Sequence, residues 1–354
     1  MKKFLFAALA STALTATAHA GSLSLDLRAD YNSTTYDEST LHDFTKFYFK
    51  TGRLDYQGKV FDDVSFRVRL AFNKNGTTNA TDSSQVAVEY GYLTHKMSDL
   101  FSLSVGKFNT EFGGFEGATS GADLFLTSEF YTRASLTTAA PAALGTRNLG
   151  TKDLLYMTGV KATFSFEGQT VHLLATNQKE DEGASTATFD QNSTLMGLIW
   201  RGAFLDKALN FNLSYHTMNG PAADDRHQFM AAGVMWNSSP IAATVDYLVA
   251  DFKDDASGNK DMTTSIVGKL AYTGWEQWVP RLEITSTEEK REIGGDVTNK
   301  FFGYGAVVEY RPYNDANFRY HIAYNNIKES PETGDDVTKQ EVVVGARLLA
   351  DFLK

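Results

Sequence analysis

From Ser22 onward the chain alternates apolar and polar residues with period two. Residues 22–31 set Leu23, Leu25, Leu27, Ala29 and Tyr31 against Ser24, Asp26, Arg28 and Asp30. Residues 65–73 set Phe66, Val68, Leu70 and Phe72 against a face that carries Arg67 and Arg69. Period two means strands with two unlike faces. The pattern recurs over 46–57, 85–95, 101–108, 154–166, 170–177, 194–201, 209–217, 228–236, 241–249, 264–273, 279–285, 302–311, 316–325 and 341–352. With the first two stretches this predicts sixteen strands.

The connections alternate in length. Short ones such as KMSDL, EGQ, NSSP and PYND exchange with long ones such as KNGTTNATDSS, QKEDEGASTATFDQN and STEEKREIGGDVTNK. Trp200, Trp236, Trp275 and Trp278 fall beside short connections, as do Tyr56, Tyr92 and Tyr310. Amphipathic rings gathered at one end of the strands form an interfacial girdle. Prolines sit at turns, loops or strand starts, away from strand centres, where each would remove a ladder hydrogen bond. In lipid every backbone polar group must be paired, so a sheet there closes on itself. The expectation is an all-β transmembrane antiparallel barrel of sixteen strands, with short periplasmic turns and long outer loops. Lys50 is a misfit, since strict alternation sets it on the lipid side.

Composition fits this reading. The chain has 354 residues, no cysteine and a formal net charge of −10. Its mean hydropathy of −0.28 alone suggests a soluble protein, but a barrel needs only half of each strand apolar. Residues 1–20, MKKFLFAALASTALTATAHA, have two lysines, a short apolar core and an Ala18-His19-Ala20 end. They read as a signal peptide cleaved after Ala20, leaving 21–354 as one barrel domain in the Gram-negative outer membrane. The acidic balance and the lack of a basic tail argue against a nucleic-acid partner.

Sixteen strands enclose an aqueous lumen. Closure makes strands fifteen, sixteen, one, two and three one continuous wall. Their inward residues include Arg319, Arg347, Arg28, Arg53, Arg67 and Arg69, a basic wall. The same lumen carries Asp26, Asp30, Asp55, Glu89, Asp246, Glu283 and Glu309, which argues against strong anion selectivity. After strand five comes a long interruption, 109–153, whose length points to function. It holds Glu111, Glu116, Asp123 and Glu129 with no basic residue before Arg133. The expectation is a constriction loop that folds inward, sets acids against the basic wall and makes a transverse field that orders solutes.

Three stretches carry a resemblance: VSFRVRLAFN, VAVEYGYLTHKMSDLFSLSVGKFNTEFGGFE and GAVVEYRPYNDANFRYHIAY. They resemble the phosphate-selective porin O/P family, loosely, over the first third and last fifth of the chain beyond residue 20. The resemblance implies a trimeric sixteen-stranded porin with an arginine-lined path. Arg67 and Arg69 sit where such path residues could lie, and Lys107 is a candidate for an anion path if its side chain turns inward. Barrels of this kind commonly end in an aromatic residue, whereas here Phe352 is followed by Leu353-Lys354.

The expected function is passive diffusion of small hydrophilic solutes and ions across the outer membrane, with no cofactor, no metal and no catalytic residue. Anion or phosphate selectivity is the nearest alternative. A barrel hydrolase is the alternative of another class, because Ser214 and His216 share an inward face and Asp246 lies two strands on. Asp251, Asp254, Asp255, Asn259 and Asp261 suggest a calcium patch, but they lack a regular ligand spacing and read better as a solvated acidic loop.

Overall fold

The computed structural model describes residues 21–72, 86–132, 154–177, 194–219, 226–253, 258, 260–292 and 296–353. Sixteen strands occur in these residues: β1 Ser22–Tyr36, β2 Phe44–Lys59, β3 Val64–Phe72, β4 Val86–Lys96, β5 Phe101–Asn109, β6 Tyr156–Phe166, β7 Gln169–Asn177 and β8 Thr194–Phe204. They continue with β9 Leu209–Asn219, β10 Arg226–Ser238, β11 Ile241–Lys253, β12 Lys260–Tyr272, β13 Trp278–Arg291, β14 Val297–Tyr310, β15 Asn317–Ser330 and β16 Val337–Asp351. Each pairs antiparallel with its sequence neighbours, and β1 pairs with β16 from Ser24–Asp351 to Tyr36–Lys339. Closure leaves no edge, so the ladders satisfy the backbone all the way round. Two short helices, α1 Gly114–Ala118 and α2 Glu129–Thr132, lie between β5 and β6.

The alternation places side chains as the pattern requires. On β15, Arg319, His321, Ala323 and Asn325 are buried inside, while Tyr320, Ile322 and Tyr324 are exposed outside. Outward rings gather at the short turns. Trp278 lies 4.6 Å from Tyr310, Tyr272 lies 5.1 Å from Trp275, and Trp200 stacks on Phe211.

Two departures from the expected register are β-bulges. Between β1 and β2 the pairing jumps from Arg28–Thr51 to Ala29–Phe49, which leaves Lys50 as the extra residue. It then comes within electrostatic reach of Arg28, Asp30 and Glu341 in the lumen. A lysine facing lipid costs about 2–4 kcal/mol at the bilayer midplane, and one extra residue avoids that cost. Between β3 and β4 the pairing jumps from Arg69–Tyr90 to Leu70–Val88. Consecutive residues Glu89 and Tyr90 are both buried as a result.

The outer connections are shorter than the sequence pattern suggests. Strand β13 runs to Arg291 rather than 285, β15 to Ser330, and β16 starts at Val337. The ladder simply continues above the apolar band on polar residues, with pairs such as Glu288–Lys300 and Lys290–Thr298 in register. Alternation of hydrophobicity stops where lipid stops, but backbone pairing does not. The connections within 74–84 and 178–192 lie outside the described residues.

Candidate pore lining and constriction

Residues 110–132 lie inside the barrel. Phe112 and Phe130 are buried in one apolar cluster with Leu195, Met218, Phe229, Leu248 and Val267 of β8 to β12. Burying each such side chain contributes about 1.5–3 kcal/mol, so this wall gives the segment an apolar seat. A signal for it exists in the sequence. Inward Phe229 is followed by outward Met230, and inward Leu248 is preceded by outward Tyr247. Strands that are apolar on both faces bury both, and here the second face is covered by the segment itself.

Polar groups complete the seat. Asp246 accepts from the backbone N–H of Phe115 at 3.0 Å and of Glu116 at 2.9 Å, which satisfies the exposed donors at the start of α1. Gly114 has φ 63°, and a Cβ there would lie 2.5 Å from Asp246 Oδ1, so only glycine admits this approach. Glu283 accepts from Leu126 N at 2.9 Å. His216 is fully buried, stacks on Phe112 with ring centroids 4.0 Å apart, and its Nε2 donates to Thr110 O at 2.8 Å. His216 and Asp246, read from sequence as part of a hydrolase set, thus hold the segment in place.

The opposite wall grips residues 120–125 with arginines. Arg28 donates to Ala122 O at 2.8 Å and lies 4.1 Å from the centre of the Phe125 ring. Arg53 donates to Ser120 Oγ at 3.0 Å, and Arg281 to Asp123 O at 3.4 Å. The Asp123 carboxylate accepts from both Arg319 and Arg347. Charge-assisted pairs of this kind are the strong class of hydrogen bond. Much of the basic wall is therefore a cradle for the segment.

This arrangement corrects the expected transverse field. Of the four acids expected to face the basic wall, Asp123 meets it. Glu111 turns to the other side, where Arg201 lies at 2.9 Å and Lys161 at 3.2 Å. Glu116 is buried against Ser128, accepting from its N at 2.8 Å and its Oγ at 2.6 Å. Glu129 is buried at the start of α2. The arginines also carry acids of their own wall. Arg28 pairs with Asp30 at 2.9 Å, Arg53 with Glu89 at 2.8 Å, Arg67 with Asp55 at 2.6 Å, and Arg69 with Glu89 at 3.0 Å. Arg347 pairs with Asp26 at 2.8 Å, and Arg319 with Glu309 at 3.4 Å. Sequence places these acids in the lumen but cannot show that each stands beside an arginine. That follows from registers such as Asp55–Arg69 and Gln57–Arg67.

Arg67 and Arg69 do share an inward face, stacked on Tyr90 at 4.3 and 3.9 Å from its ring centre. Lys107 does not join them. It alternates with buried Phe108 and shares a row with exposed Val105, so it lies on the outward face and the inward turn suggested for it is not made.

Two attachments of the segment, those of Asp123 and Glu111, are built to survive mild acid. Burial opposes charge on Asp123, but Arg319 and Arg347 outweigh it and hold the carboxyl below its ordinary 3.8. Burial likewise opposes charge on Glu111, and Arg201, Lys161 and His172 outweigh it. A depressed carboxylate gives its stabilisation above the ordinary value and loses it as pH falls through the lowered one. The conductance difference between wild type and Asp123→Asn should therefore persist from pH 7 to 5 and shrink only below about pH 4. Loss of that difference above pH 5 would contradict the Asp123 pairings.

Asp254, Asp255 and Asn259 of the suggested calcium patch lie outside the described residues. Asp251 pairs with Lys260 at 3.0 Å, and Asp261 accepts from Glu292 N at 3.1 Å. Among the described residues no cluster fit to hold a metal occurs.

A closed barrel with an apolar band outside, a charged lumen and an infolded segment defines an outer-membrane porin. More narrowly, the chain belongs to the phosphate-selective porin O and P family, whose model matches residues 22–260. Among solved structures it is similar in fold to the anion-selective porin from Comamonas acidovorans, with TM-score 0.68 and 10% identity over 94% of this chain and 100% of that one. It is similar to the outer membrane channel DcaP of Acinetobacter baumannii, with TM-score 0.65 and 13% identity over 95% of this chain and 99% of that one. The trimer form of OmpT, an outer membrane protein of Vibrio cholerae, matches with TM-score 0.58 and 14% identity over 94% of this chain and 100% of that one. No curated protein sequence matches the chain significantly.

Proposed function

We propose that this porin passes small hydrophilic solutes and ions down their gradients, with weak rather than strict charge selectivity. The observation that carries this is the pairing of each basic-wall arginine with a lumenal carboxylate, beside a segment that occupies part of the bore. Paired charges leave a polar, hydrated path of small net field, which suits general diffusion better than capture of one anion. Catalysis has no support here, because His216 and Asp246 are engaged with backbone groups. The Val-Gly-Lys-Phe and arginine-strand motifs and the trimer form of the Vibrio protein support a homotrimer in the outer membrane. The signal-like residues 1–20 support export with cleavage after Ala20, just ahead of β1.

Osmotic swelling of liposomes tests this reading. Vesicles carrying the protein should swell in neutral sugars at rates that fall with sugar size, and in sodium and chloride salts at comparable rates. Swelling confined to phosphate or other anions would favour the strictly anion-selective reading instead. Crosslinking in mild detergent should give three copies, and a monomer at every detergent concentration would count against the trimer.

A further inference from the structure

On the wall opposite the arginine cradle, α1 roofs a cavity of about 480 Å³ at the short-turn end of β6 to β9. Phe115 supplies a ring to its wall. Thr170, Arg201, Asn210 and Asn212 line it from the strands, and Lys207 from the β8–β9 turn. Two other cavities open at this end. One has Arg67 in its wall but also Asp351, and the other has Arg311 and Arg319 but also Asp315 and Asp351. Among the described residues, the cavity under α1 has two cations in its lining and no carboxylate.

Its polar groups are also prepared. Glu111 holds Arg201 through Nη2 at 2.9 Å, while the Arg201 side chain keeps 39% exposure. The fork is thus braced on one side and open on the other. Asn212 is 1% exposed, and its Oδ1 has no hydrogen-bond partner among the described residues. A buried amide oxygen without a donor is costly, and a donor supplied by a solute would relieve it. An apolar wall with a few converging polar groups is the usual form of a small-molecule site.

We infer that this cavity is a solute subsite for a small hydroxylated carboxylate with an apolar ring or face. The carboxylate meets Arg201 and Lys207, the geometry Arg forks match well. The hydroxyl donates to Asn212, and the apolar part lies on Phe115. This rests on the channel reading above and names a solute class for it.

The test is single-channel recording of the full-length exported protein with 4-hydroxybenzoate added on the short-turn side. Wild-type current should show concentration-dependent, flickering block. Phenol, which lacks the carboxylate, should not block, and benzoate, which lacks the hydroxyl donor, should block more weakly. Arg201→Gln and Asn212→Ala should each weaken block roughly ten-fold, as loss of one hydrogen bond to a charged or buried group predicts. The second variant leaves the Glu111 pairing intact, so it separates solute contact from disturbance of the segment. Steady conductance with no block, equal block by phenol, or equal block in Asn212→Ala would overturn the subsite. Absence of conductance altogether would overturn the channel reading, and the subsite with it.

Discussion

Asp123→Asn is expected to raise unit conductance and to make the open current noisy. Asp123 is where the infolded segment meets two arginines at once. Hydrogen bonds to charged groups contribute about 1.5–3 kcal/mol each. Asp123 keeps 29% side-chain exposure, so solvent screening places the loss toward the lower figure. That is still enough to free residues 120–125 for part of the time, while the apolar seat of Phe112 and Phe130 keeps the rest of the segment docked. The expected result is a larger average bore on one side rather than an unfolded barrel. Asp123→Glu should preserve wild-type conductance if it can reach either guanidinium. An Asp123→Asn channel with the conductance and noise of wild type would show that the arginines do not hold the tip.

Arg67→Ala/Arg69→Ala should shift the reversal potential in a salt gradient toward cations. The physical reason is what remains behind. Asp55 loses both of its guanidinium partners and Glu89 loses one, although Arg53 still meets Glu89. The lumenal face gains net negative charge, and in a narrow slot such charge acts at short range. The shift should fade at molar salt, where the screening length is about 3 Å. Glu111→Gln should shift selectivity the other way, since it releases Arg201 and Lys161. Glu116→Gln should do little to selectivity. Burial raises the pKa of its carboxyl above the usual value, against the opposing effect of Lys269 and the Ser128 hydrogen bonds, and its oxygens are engaged within the segment. An arginine pair whose removal leaves the reversal potential unmoved at low salt would lie off the conducting path.

Strand number, closure and inward face were legible because lipid on one side and water on the other force alternation residue by residue. The inward placement of Arg28, Arg53, Arg319 and Arg347 followed from that alone. Two bulges were not legible. An extra residue at Lys50 or Glu89 changes no composition and appears only as a local break of parity, and Lys50 was indeed the one visible misfit. The outer ends of β13 and β15 were hidden because their polar residues look like loop residues while their backbones stay paired. The direction each segment acid takes was hidden too. Asp123 and Glu111 are chemically alike in sequence, and the seat of Phe112 between them decides that they face opposite walls. For Lys107 the alternation is plain: buried Phe108 and exposed Val105 set it on the outward face, and only the resemblance suggests an inward turn.

The most direct test of the central account is planar-bilayer recording of the purified protein in potassium chloride with no solute added. An open barrel narrowed by a docked segment predicts stepwise insertions with stable current, linear in voltage at low fields. A bilayer that stays silent after verified insertion would contradict it.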